Sequence, residues 1–443
     1  MTNESNSKES PIKKAFNESQ EKIGKYRWTI CTLVFFATTV NYLDRQVIGI
    51  LAPILKEDLG IGEAAYGNIV SAFQFAYAIG MLLAGRVIDK LGTKIGYSLA
   101  FIGWSLAAMA HALAKGAFGF GAARAALGLT EAGNFPAAIK TIAEWFPKRE
   151  RALATGIFNS GTNVGAILAP ILVPWLAVKW GWQAAFIATG AIGLIWLIFW
   201  FIYYEVPEKQ KRVSQGELAY IQSDHEEVAT EQIPWAKLLK YRQTWAFFVG
   251  KFLTDPIWWF YLFWIPKWLA DVRGLDIKQF GLPLVVIYTG TTIGSIFGGW
   301  LSSFLIKRGW AVHRSRATAM LIFACLVVPI VFAQASGIGF WSAISLITLA
   351  AASHQAWSAN IFTTVSDMFP KKAVASVTGI GGFAGAIGGM LVAIFAGQVL
   401  EFFDKQGNIQ AGYYILFFIA ASAYLIAWVL FNLIAPKMKQ VKL

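Results

Sequence analysis

About twelve stretches of roughly 20 or more mostly apolar residues, each long enough to cross a bilayer, follow one another through these 443 residues. No soluble fold needs so many. They fall at 27–53, 66–85, 95–114, 118–143, 153–177, 182–204, 244–269, 280–305, 317–335, 340–364, 375–398 and 412–434. They are continuous runs rather than ten-residue alternating segments, which favours a helical bundle over a β-barrel. With 56% hydrophobic and only 14% charged residues, the chain is expected to be an all-α integral membrane protein with twelve transmembrane helices.

A net charge of +13 would suit a nucleic-acid partner, but its placement argues otherwise. Most of the 38 Lys and Arg residues fall in segments that share one side of the membrane when the N-terminus is cytoplasmic, the positive-inside pattern. The expectation is a multi-pass protein of the inner membrane, surrounded by lipid, with both termini in the cytoplasm and no nucleic-acid partner. Residues 1–26 are polar and charged throughout and read as a cytoplasmic tail rather than a cleavable signal. Residues 435–443 form a second tail. Cys31 and Cys325 lie inside predicted spans, offer no disulfide framework and read as apolar packing residues.

A charged stretch at 205–243 separates two groups of six spans, 27–204 and 244–434, and the groups align on each other. "FPKRERALATGI" at 146–157 matches "FPKKAVASVTGI" at 369–380 with a shift of 223, and "LGIGEAAYG" at 59–67 answers "RGLDIKQFG" at 273–281 with a shift of 214. Six spans per half mean that both halves enter the membrane in the same orientation. Parallel halves with a substrate site between them are a transporter architecture.

The loop between the second and third spans reads "GRVIDKLGTK", residues 85–94. Gly85 is expected to allow close helix approach, Asp89 to accept hydrogen bonds at a helix end, and Gly92 to permit a tight turn. At this position the motif resembles the loop signature of the major facilitator superfamily, and the resemblance runs from about 27 to 435. It implies that Gly85, Asp89 and Gly92 act as a conformational latch. The second-half counterpart, "GWLSSFLIKRG" at 299–309, has Ser303 in place of the aspartate and is not assigned that role.

The costly charges inside the spans are few: Asp44 and Arg45, Arg124 and Glu131, Lys251 and Asp255, while Lys140 and Glu144 sit near the inner end of the fourth span, where they can snorkel. Facing lipid, the four of the first and fourth spans would cost on the order of 10 kcal/mol, so they must pair with one another or face a watery cavity. Arg124 and Glu131 are seven residues apart, on one helix face and about 10 Å apart along the axis. A purely structural ion-pair network is the rival reading, but apolar residues of equal volume would usually serve stability as well. Two carboxylates and two arginines read better as a proton relay beside an anion site. The 223 shift sets Glu131 opposite His354, a possible hydrogen-bonded helix partner, with Gln355 and Trp357 beside it as a polar donor and an aromatic wall. Asp255 precedes Pro256, which is expected to break the local hydrogen-bond ladder and leave an amide for Asp255 to cap.

The fourth-span stretch "ARAALGLTEAGNFPAAIKTIAEWFPKRERA" at 123–152 resembles the anion:cation symporter branch of the major facilitators, as do "NYLDR" at 41–45 and "LGTKIGY" at 91–97. With "HQAWSANIFTTVSDMF" at 354–369 the chain is most similar to the hexuronate transporters. The resemblance implies proton-coupled import of sugar-acid anions, hexuronates or related aldonates, by alternating access. It places the substrate carboxylate on Arg45 and the sugar near Tyr42 and Tyr77, while the repeat adds Gln355 and Trp357 as the second-half side of the sugar pocket. Proton coupling falls to Asp44, Glu131 and Arg124, with His354 and Asp255 as further polar contacts from the second half. Hexuronate carriers do not all keep an acid at the Asp44 position, so the coupling carboxylate stays open between Asp44 and Glu131. The protein is expected to act as a monomer, with the proton as coupling ion and no cofactor or metal. An anion exchanger or facilitator without proton coupling is the nearest alternative, and a transporter-like membrane sensor is the next. An enzyme is not expected, since no metal-ligand cluster or nucleophile–base motif is found.

Overall fold

The computed structural model describes residues 24–223, 234–335 and 337–441, except for the side chains of residues 89, 148, 149, 151–153, 371, 372 and 375. The tail expected at 1–26 lies almost wholly outside the described residues, as does part of the central stretch. The described chain is helical. In the first half run α1 (Tyr26–Leu59), α2 (Glu63–Leu91), α3 (Thr93–Ala110), α4 (Ala117–Glu131), α5 (Asn134–Trp145), α6 (Lys148–Trp180) and α7 (Trp182–Tyr203). Two short linker helices follow, α8 (Gln215–Gln222) and α9 (Trp235–Leu238). The second half has α10 (Arg242–Asp271), α11 (Gly281–Lys307), α12 (Val312–Val327), α13 (Phe340–Met368), α14 (Lys371–Lys405) and α15 (Ile409–Ile434), with a 3-10 segment, Val328–Gln334, extending α12.

Eight of these helices are long and apolar enough to cross a membrane by length and composition. The four spans that fall short are α1, α4 with α5, α10 and α13, the first and fourth of each half. The α4–α5 span falls short because its break leaves helices of 15 and 12 residues; the other three carry polar residues, which is how a helix reads when one face lines a site instead of lipid. Together the two sets make the twelve-helix bundle. The predicted ends were mostly too short, because terminal turns such as 54–59 and 399–405 are polar on one side and escape a hydropathy criterion.

Four sequence expectations are overturned here, for the fourth span, Pro256, Gly85 and Cys325. The fourth span is not one helix: it breaks at Ala132–Gly133 between α4 and α5, because Pro136 in the first turn of α5 has no N–H to continue the ladder. Pro256, by contrast, does not break α10, which runs unbroken through both Pro256 and Pro266. In the 85–94 loop Gly92 adopts φ 78°, as a tight turn requires. Gly85 faces open space rather than a packed neighbour, and the Asp89 side chain is outside the described residues. Cys31 is buried and donates to the Ala154 carbonyl at 3.6 Å, whereas Cys325 is exposed on the bundle surface.

The halves meet at the end that carries the α1–α2 loop. Glu63 of α2, buried, accepts from Lys267 of α10 at 2.8 Å and from Lys56 of α1 at 3.1 Å. Lys56 also reaches Asp404 at 2.7 Å, Glu401 accepts from the Ala64 amide at 2.9 Å, and the Tyr66 hydroxyl donates to the Phe263 carbonyl at 2.8 Å. One apolar cluster passes through this end from Leu51 and Val70 into Leu262, Ala396 and Leu400. The second cluster, around Tyr97, Phe101, Trp196 and Trp200, stays within the first half. The bundle is therefore sealed at one end.

At the other end the linker ties down the start of α1. No side chain at the α1 N-cap satisfies its first amides, which leaves orphan donors and a positive dipole end. Glu217 of α8 does this from afar, accepting from the Tyr26 and Arg27 amides at 3.2 and 3.0 Å and from the Arg27 guanidinium at 3.2 Å. Arg27 bridges onward to Glu150 of α6 at 2.8 Å, and Tyr220 donates to the same carboxylate at 2.9 Å.

Candidate functional site

The charges of α1 and α4 converge midway along the bundle. Arg45 donates to one oxygen of Glu131 through both Nε, at 2.9 Å, and Nη2, at 2.8 Å. Both side chains are almost fully buried, at 1% and 0% exposure. Nη2 also lies 3.4 Å from Asn41 Oδ1, one turn back on α1. Four aromatic rings surround the guanidinium, with centroids at 4.8 Å for Tyr42, 5.1 Å for Phe73, 4.9 Å for Tyr77 and 5.2 Å for Trp259. Trp259 comes from α10, so the cage is closed by the other half. Ring faces attract a desolvated cation; they hold the guanidinium in place while leaving its carboxylate-binding edge free to exchange partners.

The sequence put Arg124 and Glu131 on one face, but they do not pair. Glu131 ends α4 at the helix break and reaches α1, while Arg124, two turns earlier, donates through Nη2 to the Arg45 backbone carbonyl at 2.8 Å. Its Nε and Nη1 have no protein partner. Phe73 and Phe263 flank it at 5.1 and 5.5 Å. Arg124 thus holds the backbone that carries Arg45. Asp44 departs further from expectation. It is buried, neither of its oxygens has a hydrogen-bond partner, and no ion pair among the described residues includes it; the Thr189 hydroxyl on α7 is close enough to interact with it. One helical step of about 100° from Arg45 turns it away from the cage and toward α7.

Unpartnered polar atoms concentrate around this cage. They include Asn41 Nδ2, the second Glu131 oxygen, two Arg124 nitrogens and both amide atoms of Gln74, with both Asp44 oxygens on the α7 side of α1. Buried polar groups in folded proteins are nearly always paired, so this cluster marks a place built to receive polar atoms from outside the chain.

In the second half, Lys251 and Asp255 of α10 form an ion pair at 2.7 Å. Asp255 was expected to cap an amide freed by Pro256; with the helix unbroken, it instead faces Lys251 one turn back. His354 is hydrogen-bonded through Nδ1 to the Tyr424 hydroxyl at 2.5 Å and stacks on Trp258 with centroids 5.2 Å apart. It is a helix partner tying α13 to α15 and α10. Trp357 is fully buried against Tyr424, and Gln355 on the same helix is half-buried. Sequence reasoning missed Phe73 and Trp259, which look like ordinary apolar residues until the fold sets them on Arg45. It also missed Glu63 and Lys267; the Lys267–Asp271 spacing of four on α10, 3.2 Å apart, was the available signal.

Comparison with known proteins agrees with this architecture. Residues 34–393 match the Major Facilitator Superfamily. The chain is 34% identical over 388 residues to the hexuronate transporter of Escherichia coli (strain K12), covering 86% of this chain and 89% of that protein. It is 36% identical over 290 residues to the galacturonate transporter of Dickeya chrysanthemi, covering 65% of this chain and 84% of that one. Among solved structures, a bacterial homolog of the human lysosomal transporter Spinster, in an inward-facing and unoccupied conformation, superposes with a TM-score of 0.77 over 94% of this chain and 98% of that one, at 17% identity. With its twelve helices in two halves and a charged site between them, the chain belongs to the Major Facilitator Superfamily and is a membrane transporter, not an enzyme.

Proposed function

We propose that the protein imports sugar acids, hexuronates or related aldonates, together with protons, by alternating access. The observation that carries this reading is the Arg45–Glu131 pair inside its aromatic cage. Arg45 has one edge that serves a carboxylate through two hydrogen bonds, and in this conformation Glu131 occupies it. A substrate carboxylate and Glu131 therefore compete for the same donors. Protonating Glu131 removes the charge that holds it there and frees the edge for the substrate; losing the proton restores the pair. An unpaired buried arginine would cost about 3–5 kcal/mol, so one carboxylate replaces the other and the edge is never left empty. Arg124 positions Arg45 in this scheme, and Asp44 is a second buried carboxyl that can take up a proton. Tyr42 and Tyr77 line the sugar's approach from α1 and α2, with Gln355 and the region around Trp357, His354 and Asp255 facing them. The positive-inside charge pattern supports cytoplasmic termini. The sealed end is then the outer one, and the conformation is open inward, with the 85–94 loop as a latch on the inner side. The unit of transport is a monomer.

Uptake of labelled galacturonate, glucuronate and galactonate into proteoliposomes, with and without an inward pH gradient, tests the reading. It predicts gradient-driven accumulation that is lost with a proton ionophore. Exchange that ignores the gradient would identify an anion exchanger, and no uptake of any sugar acid would refute the substrate class.

A further inference from the structure

The second charged pair of the site, Lys251 with Asp255, is unequally exposed. Asp255 keeps 20% of its side chain exposed, while Lys251, 2.7 Å behind it, keeps 5%. The Lys251 ammonium sits over the Phe362 ring, 4.0 Å from its centroid. Asp255 cannot retreat, because it is pressed against Gly385 of α14, where an added Cβ would strike its carboxyl. It lies four residues before Trp259, on the same face of α10 and about 6 Å along the axis. Trp259 is the ring that closes the Arg45 cage at 5.2 Å, so Asp255 stands one helical turn from a wall of that cage. It is near enough to Tyr42, another cage ring, to interact with it electrostatically.

We propose that this pair restricts the site to sugar acids with a single carboxylate. The inference rests on the sugar-acid reading above and sharpens it. With one carboxylate of the substrate on Arg45, the opposite end of a six-carbon acid extends toward α10. There it meets a pair with no net charge that presents its acceptor and hides its cation. Hydroxyl groups of a uronate or aldonate can donate to Asp255. The second carboxylate of an aldarate meets like charge at short range and finds the ammonium screened behind it. Rejection by a built-in repulsive group is a recognised route to specificity between ligands that otherwise fit equally.

The test compares galacturonate with galactarate, which carries a second carboxylate at C1 in place of the hemiacetal carbon of the uronate ring, in competition for binding to purified protein and in proteoliposome counterflow. Wild type should prefer galacturonate by at least tenfold. Asp255→Asn removes the repulsion and unmasks Lys251, so the galactarate-to-galacturonate ratio should rise at least tenfold. The double variant Lys251→Met with Asp255→Asn loses the repulsion but offers no cation, so its ratio should lie between the two. If Asp255→Asn fails to fold around its unmatched ammonium, the double variant carries the test alone, since it leaves no buried charge and its ratio must still exceed that of wild type. Equal handling of both acids by wild type, or an unchanged ratio in the variants, overturns the selectivity while leaving sugar-acid transport intact. A wild type that binds neither acid overturns both.

Discussion

Replacing Lys267 with methionine should loosen the sealed end by a predictable amount. Glu63 is buried and its Oε1 accepts from Lys267 at 2.8 Å and from Lys56 at 3.1 Å, while Oε2 has no partner. In Lys267→Met the stem is matched in size, Lys56 remains on Glu63, and Asp271 keeps the Tyr413 hydroxyl at 2.8 Å. The ion pair of Lys267 with Asp271 lies within α10 and is lost in both states; what is lost between the halves is one buried hydrogen bond between charged groups, worth about 1.5–3 kcal/mol. Because Glu63 and Lys267 belong to different halves, this bond exists only while that end is closed. The full loss therefore falls on the closed state: about 2 kcal/mol, or roughly thirtyfold in the ratio of closed to open at about 1.4 kcal/mol per decade. Spin labels at Asp58 and Gln406, both exposed at this end, would report it by double electron–electron resonance as a new, longer distance population. Lys405→Met is the control. Its partner Glu401 is on the same helix and Lys405 is 74% exposed, so little should change. A distance distribution in Lys267→Met that matches wild type would refute the assignment of this network as a gate.

Two further outcomes follow from the geometry. Arg45→Lys keeps the charge but cannot offer both Nε and Nη2 donors to one carboxylate; substrate affinity by titration calorimetry should fall at least tenfold, and wild-type affinity would contradict the clamp. Glu217→Ala removes the acceptor for two α1 amides and one face of Arg27; it should cost about 2 kcal/mol, read as a lower melting temperature in detergent, with wild-type stability as the refuting result.

The bundle was legible in the sequence because twelve apolar runs of membrane-crossing length permit few alternatives, and the two halves were legible from repeated segments such as 146–157 and 369–380. The site was legible only as a set of suspects. Charges deep in apolar runs single themselves out by their cost, so Asp44, Arg45, Arg124, Glu131, Lys251 and Asp255 could be found. Their partners could not. Helical spacing relates residues of one helix, whereas Arg45 and Glu131 meet across 86 positions of sequence, and the break before Asn134 decides where α4 ends and Glu131 points. The effect of a proline depends on its surroundings as well: Pro136 accompanies a break in one span, and Pro256 sits inside an unbroken helix packed on Gly388. Phe73 and Trp259 carried no signal at all, because an aromatic residue on a membrane helix is ordinary until a guanidinium lies over it.

The central claim is that Glu131 couples the proton to the substrate by competing for Arg45, and Glu131→Gln tests it most directly. Glutamine keeps the shape and can accept from Arg45, but it never carries the charge, so the site behaves as if permanently protonated. Counterflow in proteoliposomes measures exchange without any gradient, and uptake under an inward pH gradient measures coupling. The account predicts that Glu131→Gln retains counterflow of labelled galacturonate and loses accumulation driven by the gradient. Accumulation of galacturonate against its own concentration gradient by Glu131→Gln, in response to pH, would contradict it.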